Sequence, residues 1–218
     1  MADPADPADP FTEFESVVTS EAELAEVIGT PPPAVVNKVI DCLDELCCAF
    51  IARAPFCLIA TSGADGHIDV SPKGDPAGFV QVLDPGRLAI PDRPGNRRID
   101  TFHNLLRNPQ IGILFLIPGK NETLRIRGEA RIVRDAALLQ GMAVNGRVPA
   151  LALVVHVREA FFHCPKCMIR GHLWDPAAWP DSSDLVDIGR AMIRHARLDT
   201  TPEAQFAEAE RQGLTRLY

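Results

Sequence analysis

Residues 56–75, with the sequence FCLIATSGADGHIDVSPKGD, open the stretch that decides the fold. Residues 86–119, GRLAIPDRPGNRRIDTFHNLLRNPQIGILFLIPG, continue this stretch, and residues 123–135, TLRIRGEARIVRD, close it. In all three segments, apolar runs of strand length alternate with turns rich in Gly, Asp and Pro. Six or more such runs at short spacing, with few helices between them, predict a small closed antiparallel β-barrel.

The predicted strands differ in how they are buried. Ile111–Ile117 is a continuous apolar run, which indicates a strand buried on both faces. Thr123–Val133 alternates instead, with Leu124 and Ile126 on one face and arginines on the other. That pattern is typical of a strand with one solvent-exposed face. The remaining runs are Phe56–Thr61, His67–Ser71, Phe79–Leu83, Arg87–Ile90 and Ala150–Val157, of which the last continues towards Phe162.

Helices are predicted on both sides of this β-rich centre. Ser20 followed by Glu23 resembles a capping box that opens a short helix to Ile28. Apolar residues recur at helical spacing from Ala34 to Ala52, which predicts one long helix that packs on the core. The other predicted helices are Ile99–Arg107, Ala136–Val144, Cys164–Trp174, Leu185–Ala196 and Pro202–Gln212.

The start of the chain has a different composition from the rest. Residues 1–10, MADPADPADP, repeat the tripeptide Ala-Asp-Pro, in which Pro blocks backbone hydrogen bonds and nothing can be buried. We therefore expect residues 1–19 to form a disordered or extended tail. Residues 20–218 then form a single domain that is mainly β with flanking helices (α+β).

Composition and charge exclude several functional classes. The 218 residues carry a formal net charge of −7, so no broad basic surface is expected to bind nucleic acid. No apolar run approaches the roughly 20 residues that span a bilayer, and no secretory signal is visible. We therefore expect a cytoplasmic protein with no membrane partner, in which the six cysteines stay reduced.

Basic residues stand at the ends of two apolar runs and form the first candidate site. Lys73 ends one predicted strand, and Asn96, Arg97 and Arg98 precede a predicted helix. Two adjacent arginines, a lysine and the positive end of a helix dipole can together hold a phosphate group. The alternative is a solvated basic turn.

Residues 162–174, FHCPKCMIRGHLW, form the second candidate site. Cys164 and Cys167 stand in a Cys-x-x-Cys spacing, which is used in zinc and redox sites. The nearby histidines do not stand at the spacing of a zinc finger or ribbon. We prefer a helix on which Lys166, Arg170 and Trp174, spaced by four, share one face over a ligand.

Common catalytic motifs are missing from the sequence. No Gly-x-Gly-x-x-Gly follows a predicted strand, no Walker loop is present, and no Gly-x-Ser-x-Gly elbow appears. The sequence also lacks a convincing pair of catalytic carboxylates.

Four segments together resemble the pyridoxamine 5′-phosphate oxidase-like flavin proteins. They are residues 69–75 (DVSPKGD), 90–98 (IPDRPGNRR), 108–109 (NP) and 124–130 (LRIRGEA). The resemblance extends from about Val35 to Trp179 and is strongest to a bacterial subfamily of flavin-nucleotide-binding oxidoreductases.

The resemblance implies a fold, a cofactor and an assembly. The family fold is a six-stranded antiparallel split β-barrel that forms a homodimer, with FMN bound in grooves between the subunits. By resemblance, Lys73, Arg97 and Arg98 would hold the FMN phosphate, and the backbone of residues 90–92 would lie along the flavin ring. The full set of implied cofactor-binding residues is Ser71, Pro72, Lys73, Ile90, Pro91, Asp92, Asn96, Arg97 and Arg98, with Thr123 and Arg125 reaching the flavin of the other subunit.

The same resemblance predicts an FMN-dependent oxidoreductase in which the flavin carries the chemistry. The region that binds vitamin B6 in the true oxidases does not align here, so the substrate is expected to be a different small molecule, with NAD(P)H as a candidate donor. We predict a substrate pocket formed by His163, Lys166, Arg170 and Trp174. The alternatives are a non-catalytic flavin carrier or sensor, a relative that binds haem or a deazaflavin, and a zinc-binding module.

Overall fold

The computed structural model describes residues 10–218, which fall into two compact units. The first unit ends at Lys38 and contains helices α1 (Glu21–Ile28) and α2 (Pro33–Asn37). The backbone N–H of Glu23 donates to Ser20 Oγ at 3.2 Å, which confirms the predicted cap of α1. Residues 1–9 of the predicted tail lie outside the described residues.

The second unit spans Val39–Tyr218 and is built on one antiparallel sheet. Its strands are β1 (Phe56–Ser62), β2 (Ile68–Gly74), β3 (Gln81–Asp84), β4 (Arg87–Pro91), β5 (Gln110–Leu116), β6 (Thr123–Val133) and β7 (Ala152–His163). Its helices are α3 (Glu45–Ile51), α4 (Asp100–Arg107), α5 (Ala136–Gly141), α6 (Lys166–Arg170), α7 (Ile188–Ala196) and α8 (Pro202–Arg211), with a short 3₁₀ turn at Pro176–Ala178. None of the helices in residues 10–218 is long and apolar enough to cross a membrane.

The sheet is open and has seven strands in the order β2-β1-β5-β6-β7-β4-β3. The family resemblance implies six strands, whereas the sheet has seven, because all seven of the runs predicted as strands pair with a neighbouring strand. The expected closure is also wrong, since the edge strands β2 and β3 do not pair with each other. The α+β class with a mainly antiparallel sheet is confirmed.

The larger of two buried apolar clusters lies on one face of the sheet, as the alternating sequence of β6 predicts. Leu124, Ile126 and Ala130 of β6 are fully buried, while Arg125 and Arg127 between them are exposed. A register shift at residues 127–128 interrupts the pairing of β6 with β7. Such a bulge adds one residue to a strand and bends it locally.

The long helix predicted from Ala34 to Ala52 is wrong. Within this range the chain forms α2 and α3 with a non-helical segment between them. Ile40 forms an isolated bridge with Ala160, with backbone hydrogen bonds of 3.0 and 2.8 Å. Asp44 then starts α3, since its side chain accepts the N–H of Cys47 at 2.8 Å. A bridge and a helix cap use the backbone groups that a continuous helix would pair.

Candidate functional site

A cavity of about 410 Å³ lies beside the edge strand β2 and brings together most of the predicted cofactor-binding residues. Three segments form its walls: residues 69–73 of β2, residues 92–99 after β4, and residues 100–102 at the start of α4. The predicted residues among them are Ser71, Pro72, Lys73, Asp92, Asn96, Arg97 and Arg98. The sequence motifs at 69–75 and 90–98 are therefore neighbours in space.

Lys73 is half-buried at the end of β2, on the same face of the strand as Ser71 and Asp69. This placement follows from the two-residue period of a strand. Within residues 10–218, the Lys73 ammonium makes no hydrogen bond or ion pair, although each of its neighbours Arg93 and Arg98 is paired. An anionic ligand in the cavity would give this half-buried cation a partner for a charge-assisted hydrogen bond.

The start of α4 has the backbone properties of an anion site. Ile99 caps the helix in the left-handed conformation, at φ 54°, and provides no side-chain cap. The first N–H groups of the helix therefore remain free of a side-chain acceptor, and the helix dipole adds partial positive charge there. Arg97 is also left-handed, at φ 63°. Two such residues close together store backbone strain, which is common at binding sites.

The two adjacent arginines do not act as a preformed pair. Arg98 forms an ion pair with Asp100 at 2.7 Å and is largely exposed. Arg97 donates from Nη2 to the backbone carbonyl of Gln212 at 2.9 Å. Asn96 stabilises the turn itself, because its Oδ1 accepts the N–H of Arg98 at 3.1 Å. Lys73 is thus the one cation of this predicted set that has no partner in the described part of the chain.

The Ile90–Asp92 segment contributes one titratable side chain to the cavity. Ile90 and Pro91 are buried in β4, and the N–H of Asp92 donates to the carbonyl of Leu151 at 2.9 Å. The half-buried Asp92 carboxyl lines the cavity. Burial raises its pKa, and the positive charges of Lys73 and Arg93 oppose that rise.

A buried network supports this wall, and sequence reasoning missed it. Arg93 Nε donates to Asp75 Oδ2 at 2.5 Å, and the Tyr218 hydroxyl donates to Asp75 Oδ1 at 2.5 Å. Arg93 Nη2 also donates to the carbonyl of Met142 at 3.0 Å. Arg147 binds the backbone oxygen of Tyr218.

The network borders a second cavity of about 500 Å³, which shares Asp92, Arg93 and Pro94 with the first. No local pattern in the sequence signals Asp75, Arg93 and Tyr218, because each partner lies far from the others along the chain.

Thr123, Arg125 and His163 lie apart from this group, in a cavity of about 360 Å³ on the outer face of the sheet. Thr123 stands opposite His163 in the β6–β7 register. The Arg125 guanidinium lies 5.7 Å from the centre of the Phe161 ring. Thr123 and Arg125, predicted to bind the cofactor, thus share a cavity with His163, predicted to bind the substrate, on a different face of the sheet from Lys73.

Lys166, Arg170 and Trp174 do not share a helix face as predicted. The helix α6 ends at Arg170, because the N–H groups of Gly171 and His172 turn back onto Cys167 and Ile169. Trp174 lies beyond this end, and its Nε1–H donates to the carbonyl of Lys120 at 2.8 Å. None of the three lines a cavity described above.

Zinc binding by the cysteine-rich segment is one of the alternatives that the sequence leaves open. No group of three or more His, Cys, Asp or Glu side chains in residues 10–218 is arranged to hold a metal ion. The zinc-binding alternative therefore has no ligand set in the described part of the chain.

Comparison with known families gives one match. The family model described as pyridoxamine 5′-phosphate oxidase matches residues 43–164, more than half of the 218-residue chain. This range contains all seven strands, from the start of β1 to the end of β7. No curated protein matches the chain.

Solved structures match part of the chain at low sequence identity. The HupZ protein of Group A Streptococcus is 20% identical, and the match covers 55% of this chain and 92% of that chain with a TM-score of 0.45. A Clostridium acetobutylicum protein of the pyridoxinephosphate oxidase family, related to general stress protein 26, is 16% identical over 53% of this chain and 83% of that chain, with a TM-score of 0.39. HutZ, the heme storage protein of Vibrio cholerae, is 14% identical over 55% and 93%, with a TM-score of 0.38.

Proposed function

We propose, from the premise that this chain belongs to the pyridoxamine 5′-phosphate oxidase family, that it is an FMN-dependent oxidoreductase. The observation that carries the proposal is the half-buried Lys73 ammonium, which has no partner within residues 10–218 and lines a cavity of about 410 Å³. We propose that the phosphate of FMN is the missing partner. The substrate of the proposed oxidoreductase would be a small molecule other than pyridoxamine 5′-phosphate.

The residues around Lys73 fit a phosphate group. Lys73 would supply one charge-assisted hydrogen bond, and the uncapped start of α4 would supply backbone N–H donors. Arg97 would join them by exchanging its bond to the Gln212 carbonyl for one to the phosphate. Arg98 would contribute mainly through its charge, because Asp100 already holds its guanidinium.

The polar edge of the flavin would meet Ser71 and Asp92. Ser71 lies on the same face of β2 as Lys73 and offers a hydroxyl. Asp92 lies at the boundary of the first and second cavities. When bound, FMN would supply the capacity to accept or donate a hydride. Asp92 would hold or release a proton at its carboxyl oxygen, and its raised pKa suits that role.

We also propose a homodimer, supported by an apolar surface on the outer face of the sheet. Ile68 and Val70 of β2 are 68% and 57% exposed, and Leu58, Ala60 and Leu114 continue this surface across β1 and β5. Contiguous exposed apolar patches of this kind mark interaction sites. Thr123 and Arg125 border the same face, where they would reach the flavin of the other subunit.

The predictions for the substrate pocket, the electron donor and the cellular location stay part of the proposal. His163 would border the substrate, because it lies with Arg125 in the same cavity. Lys166, Arg170 and Trp174 would have to approach it by movement of the segment after β7. NAD(P)H stays a candidate donor, and the cytoplasmic location stays a prediction.

Titration of the purified protein with FMN and with riboflavin, followed by flavin fluorescence, tests the proposal. A charge-assisted hydrogen bond is worth about 1.5–3 kcal/mol. Lys73→Met should therefore weaken FMN binding by about 10- to 100-fold. Riboflavin has no phosphate, so its affinity should change little.

Lys120→Met is the matched control. Lys120 is exposed and pairs with Glu122 at 3.1 Å, away from the cavity, so its replacement should leave FMN binding unchanged. Failure of the native protein to bind FMN would reject the proposal. Equal losses for FMN and riboflavin in Lys73→Met would reject the phosphate assignment. FMN binding without reduction by NAD(P)H or any tested donor would favour a flavin carrier or sensor.

A further inference from the structure

Two of the six cysteines differ from the others in exposure. Cys164 and Cys167 are exposed, whereas Cys47 and Cys57 are buried and Cys42 and Cys48 are half-buried. Burial raises the pKa of the Cys47 and Cys57 thiols to about 12, which keeps them protonated and unreactive at neutral pH. The two cysteines of the Cys-x-x-Cys segment are therefore the most accessible of the six thiols.

The backbone brings these two exposed cysteines close together. Pro165 has helical dihedral angles, with φ −76° and ψ −6°, and Lys166 is the first residue of α6. Two helical residues in the middle of a four-residue turn bring the Cα atoms of its ends to within about 7 Å. Disulfides join Cα atoms about 4.4–6.8 Å apart, so this turn suits one between Cys164 and Cys167.

The segment around these two cysteines contains no acidic residue. Residues 160–174, AFFHCPKCMIRGHLW, contain two histidines, one lysine and one arginine but no Asp or Glu. In addition, the described residues provide no metal-ligand cluster that would occupy the two sulfur atoms.

We propose that Cys164 and Cys167 form a redox-active dithiol that reacts with low-molecular-weight disulfides of the glutathione type. One thiolate attacks a sulfur atom of the small disulfide, forms a mixed disulfide and expels one small thiolate. The second cysteine thiolate attacks the mixed disulfide, closes the Cys164–Cys167 bond and expels the other small thiolate. Two protein thiols are oxidised by two electrons, and the small disulfide is reduced to two thiols.

This chemistry would act directly on the outer-face cavity. Cys167 and Met168 line that cavity together with Thr123, Arg125 and His163. Closing a disulfide fixes the orientation of the Cys167 sulfur atom and so changes one wall of the cavity. The dithiol does not require the proposed FMN, since its co-reactant is a small disulfide.

The test exposes the reduced protein to excess glutathione disulfide, stops the reaction with acid, alkylates the free thiols and maps the peptides by mass spectrometry. The peptide with Cys164 and Cys167 should be two hydrogens lighter and carry neither glutathione nor alkyl groups. Cys164→Ser and Cys167→Ser should each retain one glutathione on the remaining cysteine, because no second thiol resolves the mixed disulfide.

Cys42→Ser is the matched control and should behave like the native protein. A stable glutathione adduct on Cys164 or Cys167 in the native protein, without the internal disulfide, would overturn the proposal. Two thiols that stay free in the folded protein, yet react after it is unfolded, would overturn it as well. The native-protein result decides the question even if a serine variant fails to fold.

Discussion

Replacing Arg93 by Met should cost far more stability than breaking an exposed ion pair. The Asp75 side chain is 1% exposed and receives hydrogen bonds from Arg93 and Tyr218, each of 2.5 Å. Arg93→Met keeps most of the apolar stem and leaves a buried carboxylate with a single hydroxyl donor. Removing one partner of a buried ion pair typically costs about 3–5 kcal/mol.

The other members of the network set the scale for this prediction. Asp75→Asn should cost less, about 1–3 kcal/mol, because the partly exposed Arg93 keeps its bond to Met142. Combining Asp75→Asn with Arg93→Met should cost less than the sum of the two single changes, since no buried charge remains.

Urea unfolding at neutral pH, followed by circular dichroism, measures these free energies. Arg87→Met is the control, because Arg87 pairs with Asp84 on the surface, where the side chains are 57% and 36% exposed. That change should cost less than about 1 kcal/mol. Equal losses for Arg93→Met and Arg87→Met, or strict additivity of the double variant, would refute the reasoning.

Three further changes test the sheet and two carboxylates. Gly128→Ala should destabilise the protein by about 3 kcal/mol or more in urea unfolding, because a Cβ at the bulge would overlap the backbone carbonyl of His156. Gly112→Ala should be well tolerated, since its Cβ would lie 3.8 Å from that of Ala60, and equal losses at the two glycines would contradict this account. Asp44→Ala removes the N-cap of α3 and should cost about 1 kcal/mol at neutral pH. The hydrogen bonds from Cys47 lower the pKa of Asp44, so this cost should disappear as the pH falls through that lowered pKa, and a cost that persists in acid would exclude the cap as its source. The pH dependence of stability has the opposite sign at Asp92, because burial raises the pKa of its carboxyl. The Asp92→Asn variant should therefore gain stability relative to the native protein as the pH rises above the ordinary pKa range of an aspartate. An advantage of the variant that is confined to acidic pH would contradict this prediction.

Local sequence patterns predicted the elements of the sheet well, because each strand is specified by its own residues. From Leu124 to Arg131, the alternation in β6 corresponds to its buried face and its more exposed face. The predicted strand His67–Ser71 is displaced, since β2 runs from Ile68 to Gly74 and includes Pro72. Pro is compatible with β2 because this strand is at the edge of the sheet.

Long-range partners could not be predicted from local patterns. The periodicity from Ala34 to Ala52 fits one helix, but the bridge of Ile40 to Ala160 and the cap at Asp44 divide it. The candidate cavity was predictable as a set of residues, because the motifs around Lys73 and Arg97 resemble those of a known family. The contact of Arg97 with Gln212 could not be predicted, because these residues are separated by 115 positions in the sequence.

The pairing of β4 with β7 has a consequence for the order in which the chain folds during synthesis. The hairpin of β1 and β2 can close as soon as both strands leave the ribosome. His156 of β7, by contrast, meets Gly86 beside β4 across a separation of 70 residues. Until β7 is made, the apolar side of β4 has no neighbour on that edge, and such unpaired strands favour aggregation. We therefore expect nascent chains stalled between β4 and β7 to be the species that molecular chaperones hold longest.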